Sequence, residues 1–326
     1  LIWELMQTHQ PNHLLISKYY ENSFKIANTT KATPIIQIEF KPKVRLAKWV
    51  KNTLSETPKA LGKSKNFIDE AIKCISETKV QNIIVWGDME PLPYLRWAFP
   101  EKSITFAQRV FEPKPNYQLK HYEYCDYLLT QTKGTTKNIF EKESQILATT
   151  VAIPNGVDLD KYHPVTPNGK SVLRNKLNIA EDKFVILFPS HLKISRGTNY
   201  IYDWIRETRK LIPNALFVVT GKNFLSERGN SKALLNSLNE FNNCIWLQGV
   251  PHDEMVKWYQ VSDIALIPSL WPEGMSMASI EAMASGLPVI ATNHGAFKDY
   301  IFHQYNGWLC SPENIFHEGL AALQKL

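Results

Sequence analysis

Pro272-Glu-Gly-Met-Ser-Met-Ala-Ser-Ile-Glu-Ala-Met-Ala-Ser-Gly-Leu-Pro-Val-Ile-Ala-Thr292 reads as a loop, a helix over 276–285, a Gly-Leu-Pro stop and a strand at 289–292. The apolar run Ile264-Ala-Leu-Ile267 just upstream is also strand-sized. Strand, helix and strand in close succession form a βαβ unit, which requires parallel strands.

Outward from this unit the alternation continues. From Lys183 onward, strands are expected at 184–188, 216–220, 245–247, 264–267 and 289–292, with helices near 198–210, 232–241, 253–261 and 276–285. Five βα repeats predict a doubly wound sheet. The first half alternates more loosely, with strand-like runs at 13–17, 35–40, 82–86, 103–107, 127–130 and 149–153. Between the halves, Ile153-Pro-Asn-Gly-Val-Asp-Leu-Asp-Lys-Tyr-His-Pro164 breaks any regular element. The expected organisation is α/β, with Rossmann-like domains at 1–157 and 158–326 and parallel sheets facing a cleft. Leu1-Ile-Trp-Glu-Leu-Met reads as the end of a helix, and the helix beginning at His317 stops without a cap. The chain is therefore expected to be truncated at both ends, with the first strand of the N-terminal domain missing.

Composition narrows the class. The 326 residues are 44% hydrophobic and contain no run of about 18 apolar residues, so no membrane-spanning helix is expected. Cys74, Cys125, Cys244 and Cys310 have neither disulfide-framework nor zinc-ligand spacing and read as packed thiols of a reducing cytoplasm. The net charge of +6 is concentrated in the first half. It does not point to nucleic acid, but it suits an anionic ligand or surface. In 41–54, Leu46, Trp49, Val50 and Leu54 share one helical face opposite Arg45, Lys48 and Lys51. Two readings stand: peripheral contact with an anionic membrane, or a surface helix packed on its own domain.

The chemistry is expected at the quoted stretch. Ligands of open α/β sheets bind at the carboxyl ends of strands, where Glu273 precedes the helix and Glu281 lies about two turns into it. Gly274 permits close backbone approach, and the N–H groups of Met275, Ser276 and Met277 suit a phosphate. Separated carboxylates suit a long ligand with hydroxyl pairs at its ends and an anionic middle, such as a nucleotide sugar. The plain alternative is a polar loop and a solvated helix face.

The Glu273-to-Glu281 spacing, with its Gly-Leu-Pro-Val-Ile-Ala-Thr flank, resembles the Glu-x7-Glu signature of retaining family-four (group 1) glycosyltransferases of GT-B architecture. Ile153-Pro-Asn-Gly-Val-Asp158, Leu247-Gln-Gly-Val250, Ser262-Asp-Ile-Ala-Leu-Ile-Pro-Ser269 and Asn306-Gly-Trp-Leu309 agree in order. The resemblance implies that Glu273 contacts the donor sugar and Glu281 the nucleotide ribose. It also implies a cationic pair on the donor diphosphate after the first strand of the C-terminal domain. Arg196 matches one of these positions, His191 stands where arginine is usual, and Lys193 is a substitute for it. The base is expected to be recognised through backbone near Gly249 and Val250.

The implied reaction retains anomeric configuration and needs no metal or other cofactor. Partners are a nucleotide sugar and a glycan or lipid-linked acceptor. On the acceptor side, Asp88 and Glu90 follow the 82–86 strand, and Gln108 stands where the family often carries histidine. His294 lies near the donor end, whereas His121 and His163 read as surface residues. The alternatives are a non-catalytic sugar-nucleotide-binding or assembly subunit and an epimerase of the same shape. No Gly-x-Gly-x-x-Gly follows a strand, which disfavours a dinucleotide dehydrogenase.

Overall fold

The computed structural model describes residues 13–19, 35–39, 65–111, 116–222, 238 and 241–325. The basic segment 41–54, residues 1–6 and most of the expected 232–241 helix lie outside the described residues. The chain divides into two compact units, Leu1–Pro154 and Asn155–Leu326.

In the first unit, β1 (His13–Tyr19), β2 (Ile35–Glu39), β3 (Asn82–Trp86), β4 (Ser103–Ala107), β5 (Tyr127–Thr130) and β6 (Thr149–Ala152) form one parallel sheet, ordered β2-β1-β3-β4-β5-β6. Its described helices are α1 (Lys65–Ser76), α2 (Leu92–Ala98) and α3 (Lys133–Lys142). The start of α3 is set by Thr132, whose hydroxyl accepts the Thr135 N–H at 3.1 Å.

The second unit contains β7 (Phe184–Phe188), β8 (Ala215–Val219), β9 (Cys244–Trp246), β10 (Ile264–Ile267), β11 (Val289–Thr292) and β12 (Gly307–Cys310), ordered β12-β11-β10-β7-β8-β9. The described helices are α4 (Pro167–Lys176), α5 (Ile201–Leu211), α6 (Met255–Val261), α7 (Met277–Ala284) and α8 (Ile315–Lys325). The four central strands, β11, β10, β7 and β8, are buried along nearly their whole length because both faces of the sheet are covered there. Val185 and Leu187 face one core with Trp258 and Tyr259, whereas Ile186 and Phe188 face another with Trp204 and Ile205. Period two along a strand thus divides its residues between two cores.

The sequence reading expects five strands here; the sixth, β12, arises from Asn306-Gly-Trp-Leu309. Glycine permits its register with β11: a Cβ on Gly307 would lie 2.6 Å from the Val289 carbonyl oxygen. The expected helix at 198–210 begins as a 3-10 turn, Thr198–Tyr200, before α5.

One fastener occurs in both units. Asp126, just before β5, accepts the N–H of Ile104 at 2.7 Å and an Arg96 Nη2 bond at 2.6 Å. Asp263, just before β10, accepts the N–H of Val185 at 2.7 Å and an Arg174 Nη2 bond at 2.7 Å. Each carboxylate ties the amino end of its own strand to that of a neighbour. Arg174 is 5% exposed and also donates to the carbonyls of Val261, Glu181 and Lys183. Lys170 completes the cluster, donating to Asp263 at 2.6 Å and to the Ser262 carbonyl at 2.7 Å.

Candidate functional site

In the second unit the strand order reverses direction between β7 and β10, which lie side by side. At such a switch point successive helices leave to opposite faces of the sheet. The loops after the two strands therefore diverge and leave a crevice at their carboxyl ends. The loop after β7 carries His191, Lys193 and Arg196, and the loop after β10 carries Glu273 and Gly274. Topology alone thus places most of the expected donor-side residues together.

The two loops are joined directly. Ser269 donates its hydroxyl to Glu273 Oε1 at 2.7 Å, and the N–H of Leu270 donates to the Ser195 carbonyl at 2.9 Å. Arg196 Nη1 forms an ion pair with the same Glu273 Oε1. Two glycines make the approach possible. Gly197 has φ +75° and leaves no room for a Cβ against Pro268. Gly295, after β11, has φ +66°, and a Cβ there would lie 2.5 Å from the Glu273 carbonyl oxygen. The Ala296 N–H then donates to that carbonyl at 2.9 Å, fixing the Glu273 backbone from a third strand end.

Beside this junction, His191 Nδ1 accepts the Lys222 N–H at 3.3 Å. Neutral imidazole must then carry its proton on Nε2. Burial, and next the cations Lys193, Arg196 and Lys222, hold the His191 pKa below its ordinary 6.5. Burial also lowers the Arg196 pKa, although a guanidinium remains charged at neutral pH. The Lys193 side chain is exposed; its carbonyl accepts the N–H of Arg196 at 2.9 Å and the hydroxyl of Thr198 at 2.8 Å.

Glu281 is placed differently. It is 4% exposed, and both oxygens are engaged: Tyr259 of α6 donates to Oε2 at 3.0 Å, and His252 Nε2 lies 3.0 Å from Oε1. Eight residues along, α7 has turned this carboxylate away from the β7 loop and toward α6, so it does not share the partners of Glu273. The spacing of residues along the helix does not choose these partners. His252 is the residue that the sequence reading missed; its position next to Pro251 in a short turn gave no signal.

Two of the backbone N–H groups near the expected site have partners within the chain. The Ser276 N–H, expected to be open to a phosphate, donates to the Tyr300 hydroxyl at 3.3 Å, and Ser279 bonds the same hydroxyl at 2.9 Å. The Val250 N–H is engaged by the Thr220 carbonyl at 3.1 Å. Met277 at the start of α7 is 42% exposed, and the Met275 carbonyl accepts from Asn155 Nδ2 at 3.3 Å. That last bond ties Asn155 to the loop after β10. His294 Nδ1 is buried and has no hydrogen-bond partner among the described residues.

In the first unit, β3 and β4 run side by side, which brings the loops after them together; the Gly87 N–H donates to the Ala107 carbonyl at 3.0 Å. Asp88 accepts the Glu90 N–H at 3.2 Å in a local turn. Gln108 is 3% exposed, accepts from the Tyr122 hydroxyl at 3.3 Å and donates to the Val110 carbonyl at 3.0 Å. These bonds make Gln108 a buried pin of its loop. His121 lies 3.3 Å from the Met89 carbonyl through Nδ1. Among the described residues, no three His, Cys, Asp or Glu side chains converge as a metal site requires, and no helix is long and apolar enough to cross a membrane.

A Salmonella typhimurium lipopolysaccharide 1,2-N-acetylglucosaminetransferase is 29% identical over 69% of this chain and 58% of its own length. An Escherichia coli UDP-Gal:alpha-D-GlcNAc-diphosphoundecaprenol alpha-1,3-galactosyltransferase is 30% identical over 50% of this chain and 41% of its own. The chain thus spans about half the length of these curated relatives. Among solved structures, Anabaena HepE in complex with UDP and glucose superposes with a TM-score of 0.67 at 19% identity, over 80% of this chain and 71% of that one. Sucrose-phosphate synthase from Thermosynechococcus elongatus gives 0.65 at 16% identity, over 80% and 68%. These likenesses show the fold, two Rossmann-like units of the GT-B kind. The family model for glycosyl transferases group 1 matches residues 169–323, nearly the whole second unit. The Asn155–Leu326 unit, with its paired loops at the β7/β10 switch point, belongs to the glycosyl transferases group 1 family.

Proposed function

We propose that the protein is a glycosyltransferase that moves a sugar from a nucleotide-sugar donor to a glycan or lipid-linked acceptor, with retention of anomeric configuration and without a metal. The observation that carries this reading is the joining of Arg196 and Glu273 where the β7 and β10 loops diverge. When the bond from anomeric carbon to phosphate breaks, negative charge grows on the diphosphate. A guanidinium already fixed by a carboxylate and two glycine-tight loops stabilises that charge without reorganising. His191 adds an Nε2–H donor and Lys193 a further positive charge. Glu273, held by Ser269 and Arg196, is the acceptor for donor-sugar hydroxyls, and Glu281 the acceptor for the nucleotide ribose. Asp88 and Glu90 are the acceptor-side carboxylates. The cytoplasmic face of a membrane, contacted through 41–54, is the proposed place of action.

The test is a thermal-shift screen of UDP-, GDP-, ADP- and dTDP-sugars, followed by donor hydrolysis with the stabilising compound. A stabilised protein that turns over its donor is expected. Glu273→Gln should lower kcat about 100-fold with a smaller change in donor affinity, since its contact serves the reacting sugar. Stabilisation without turnover would instead favour the non-catalytic binding subunit, and no stabilisation by any donor would refute the reading.

A further inference from the structure

The Glu281 carboxylate is the centre of a small polar set drawn from separate stretches of chain. Tyr259 donates to Oε2 from α6, and His252 bonds Oε1 from the turn before it. Tyr162, from the segment leading out of Pro-Asn-Gly, brings its hydroxyl within 3.3 Å of the same His252 Nε2 and packs edge-on against both neighbours. The turn is held from outside by Lys161, which pairs with Asp253 at 2.8 Å.

Hydrogen-bond accounting fixes the protons. An ionised carboxylate only accepts, so His252 must carry its proton on Nε2 and Tyr259 must remain a phenol. Burial, then the charge of Glu281, holds the Tyr259 pKa well above the ordinary value. The two oxygens of a carboxylate accept about four hydrogen bonds in all. The described residues supply one to each oxygen, leaving one acceptor direction on each. The set is also graded in depth: Tyr259 is 1% exposed and the Glu281 side chain 5%, whereas the His252 side chain is 55% exposed. His252 is the solvent-facing member.

We infer that His252 and Tyr259 are positioning residues that set the plane of the Glu281 carboxylate, so that its two remaining acceptor directions meet the two hydroxyls of a ribose. The inference rests on the ribose role proposed for Glu281 and extends it to two side chains that do not themselves belong to the signature. Without the Tyr259 bond the carboxylate rotates about its last torsion, and without His252 it loses its solvent-side anchor. Either change should erode discrimination between a ribose and a sugar lacking those hydroxyls, while leaving diphosphate contacts intact.

The experiment compares binding of UDP, GDP, ADP and CDP with that of their 2′,3′-dideoxy counterparts by calorimetry. The proteins are the wild type, His252→Ala, His252→Gln, Tyr259→Phe and Glu281→Ala. Wild type should prefer one ribo form by about 100-fold, as expected for two hydrogen bonds to a charged group. Glu281→Ala should abolish the preference. His252→Ala and Tyr259→Phe should each reduce it about tenfold, with dideoxy affinity unchanged. His252→Gln, whose amide can donate, should recover part of the loss, which a general loosening of the fold would not allow. If Glu281→Ala removes the preference but His252→Ala and Tyr259→Phe retain it, the inference is wrong and the ribose role stands. If no nucleotide shows a preference, or Glu281→Ala keeps it, both fail.

Discussion

Replacing Gly197 by alanine tests whether the closeness of the β7 and β10 loops is what the site depends on. A non-glycine residue at φ +75° costs about 1–2 kcal/mol from backbone sterics alone. The new Cβ would also sit 2.8 Å from Pro268 Cγ and closer still to the Pro268 carbonyl oxygen. The obstacle is largely backbone, so it cannot rotate aside, and overpacking of this kind adds about 1–3 kcal/mol. Together these predict roughly 2–5 kcal/mol of destabilisation, or relief by drawing the Arg196 loop about 1 Å away from Glu273. The second outcome should cost about 100-fold in kcat/KM even though no reacting group has been altered. Urea denaturation reads the first effect and steady-state kinetics with the donor found by screening reads the second. An alanine variant with both the wild-type midpoint and the wild-type kcat/KM would refute the reasoning, because the loops would then be shown to have slack.

Other consequences can be checked singly. Arg174→Met leaves Asp263 with less than its full set of donors and frees several backbone carbonyls; a loss of about 3–5 kcal/mol in urea denaturation is expected, with donor affinity unchanged in the remaining folded protein. His191 gains charge only as pH falls through its lowered pKa, below 6.5. The ratio of wild-type to His191→Ala affinity for the bound nucleoside diphosphate should therefore rise as pH drops from 7 to 5 and stay flat from 7 to 8; a flat ratio throughout would remove the imidazole from the diphosphate site. Burial pushes Cys125, Cys244 and Cys310 up to about 12. At pH 8 only ~0.01% of each is thiolate, so an aromatic disulfide reagent should leave all three unmodified until denaturant is added.

The second unit was legible in sequence because its four central strands are buried on both faces. Val289–Thr292 and Ile264–Ile267 are continuously apolar, and the helix between them is bounded by Ser276 and Ser285-Gly286. Strand β12 was harder to see: a glycine and a half-buried tryptophan at a sheet edge carry little β signal, and pairing with β11 supplies the rest. The meeting of Arg196 with Glu273 was partly legible, since both follow strands that become neighbours, but the strand order that makes them neighbours is a property of the assembled sheet. The depth of Glu281 was not legible. A glutamate in mid-helix reads as solvated unless its burial partners are known, and Tyr259, His252 and Tyr162 all come from stretches outside its own helix.

The twin aspartates before β5 and β10 have a consequence for how such a protein can change. Each clamps its own sheet along the amino rim, whereas His191, Lys193, Arg196 and Glu273 of the second unit hang from the opposite rim. Mechanical integrity and chemical identity are thus carried by different edges of one slab. Loops on the reactive edge can be exchanged to accept another base or sugar while the clamped edge keeps the slab whole. An engineer seeking new specificity would leave Arg174, Asp263, Arg96 and Asp126 alone and draw a library only from the far side.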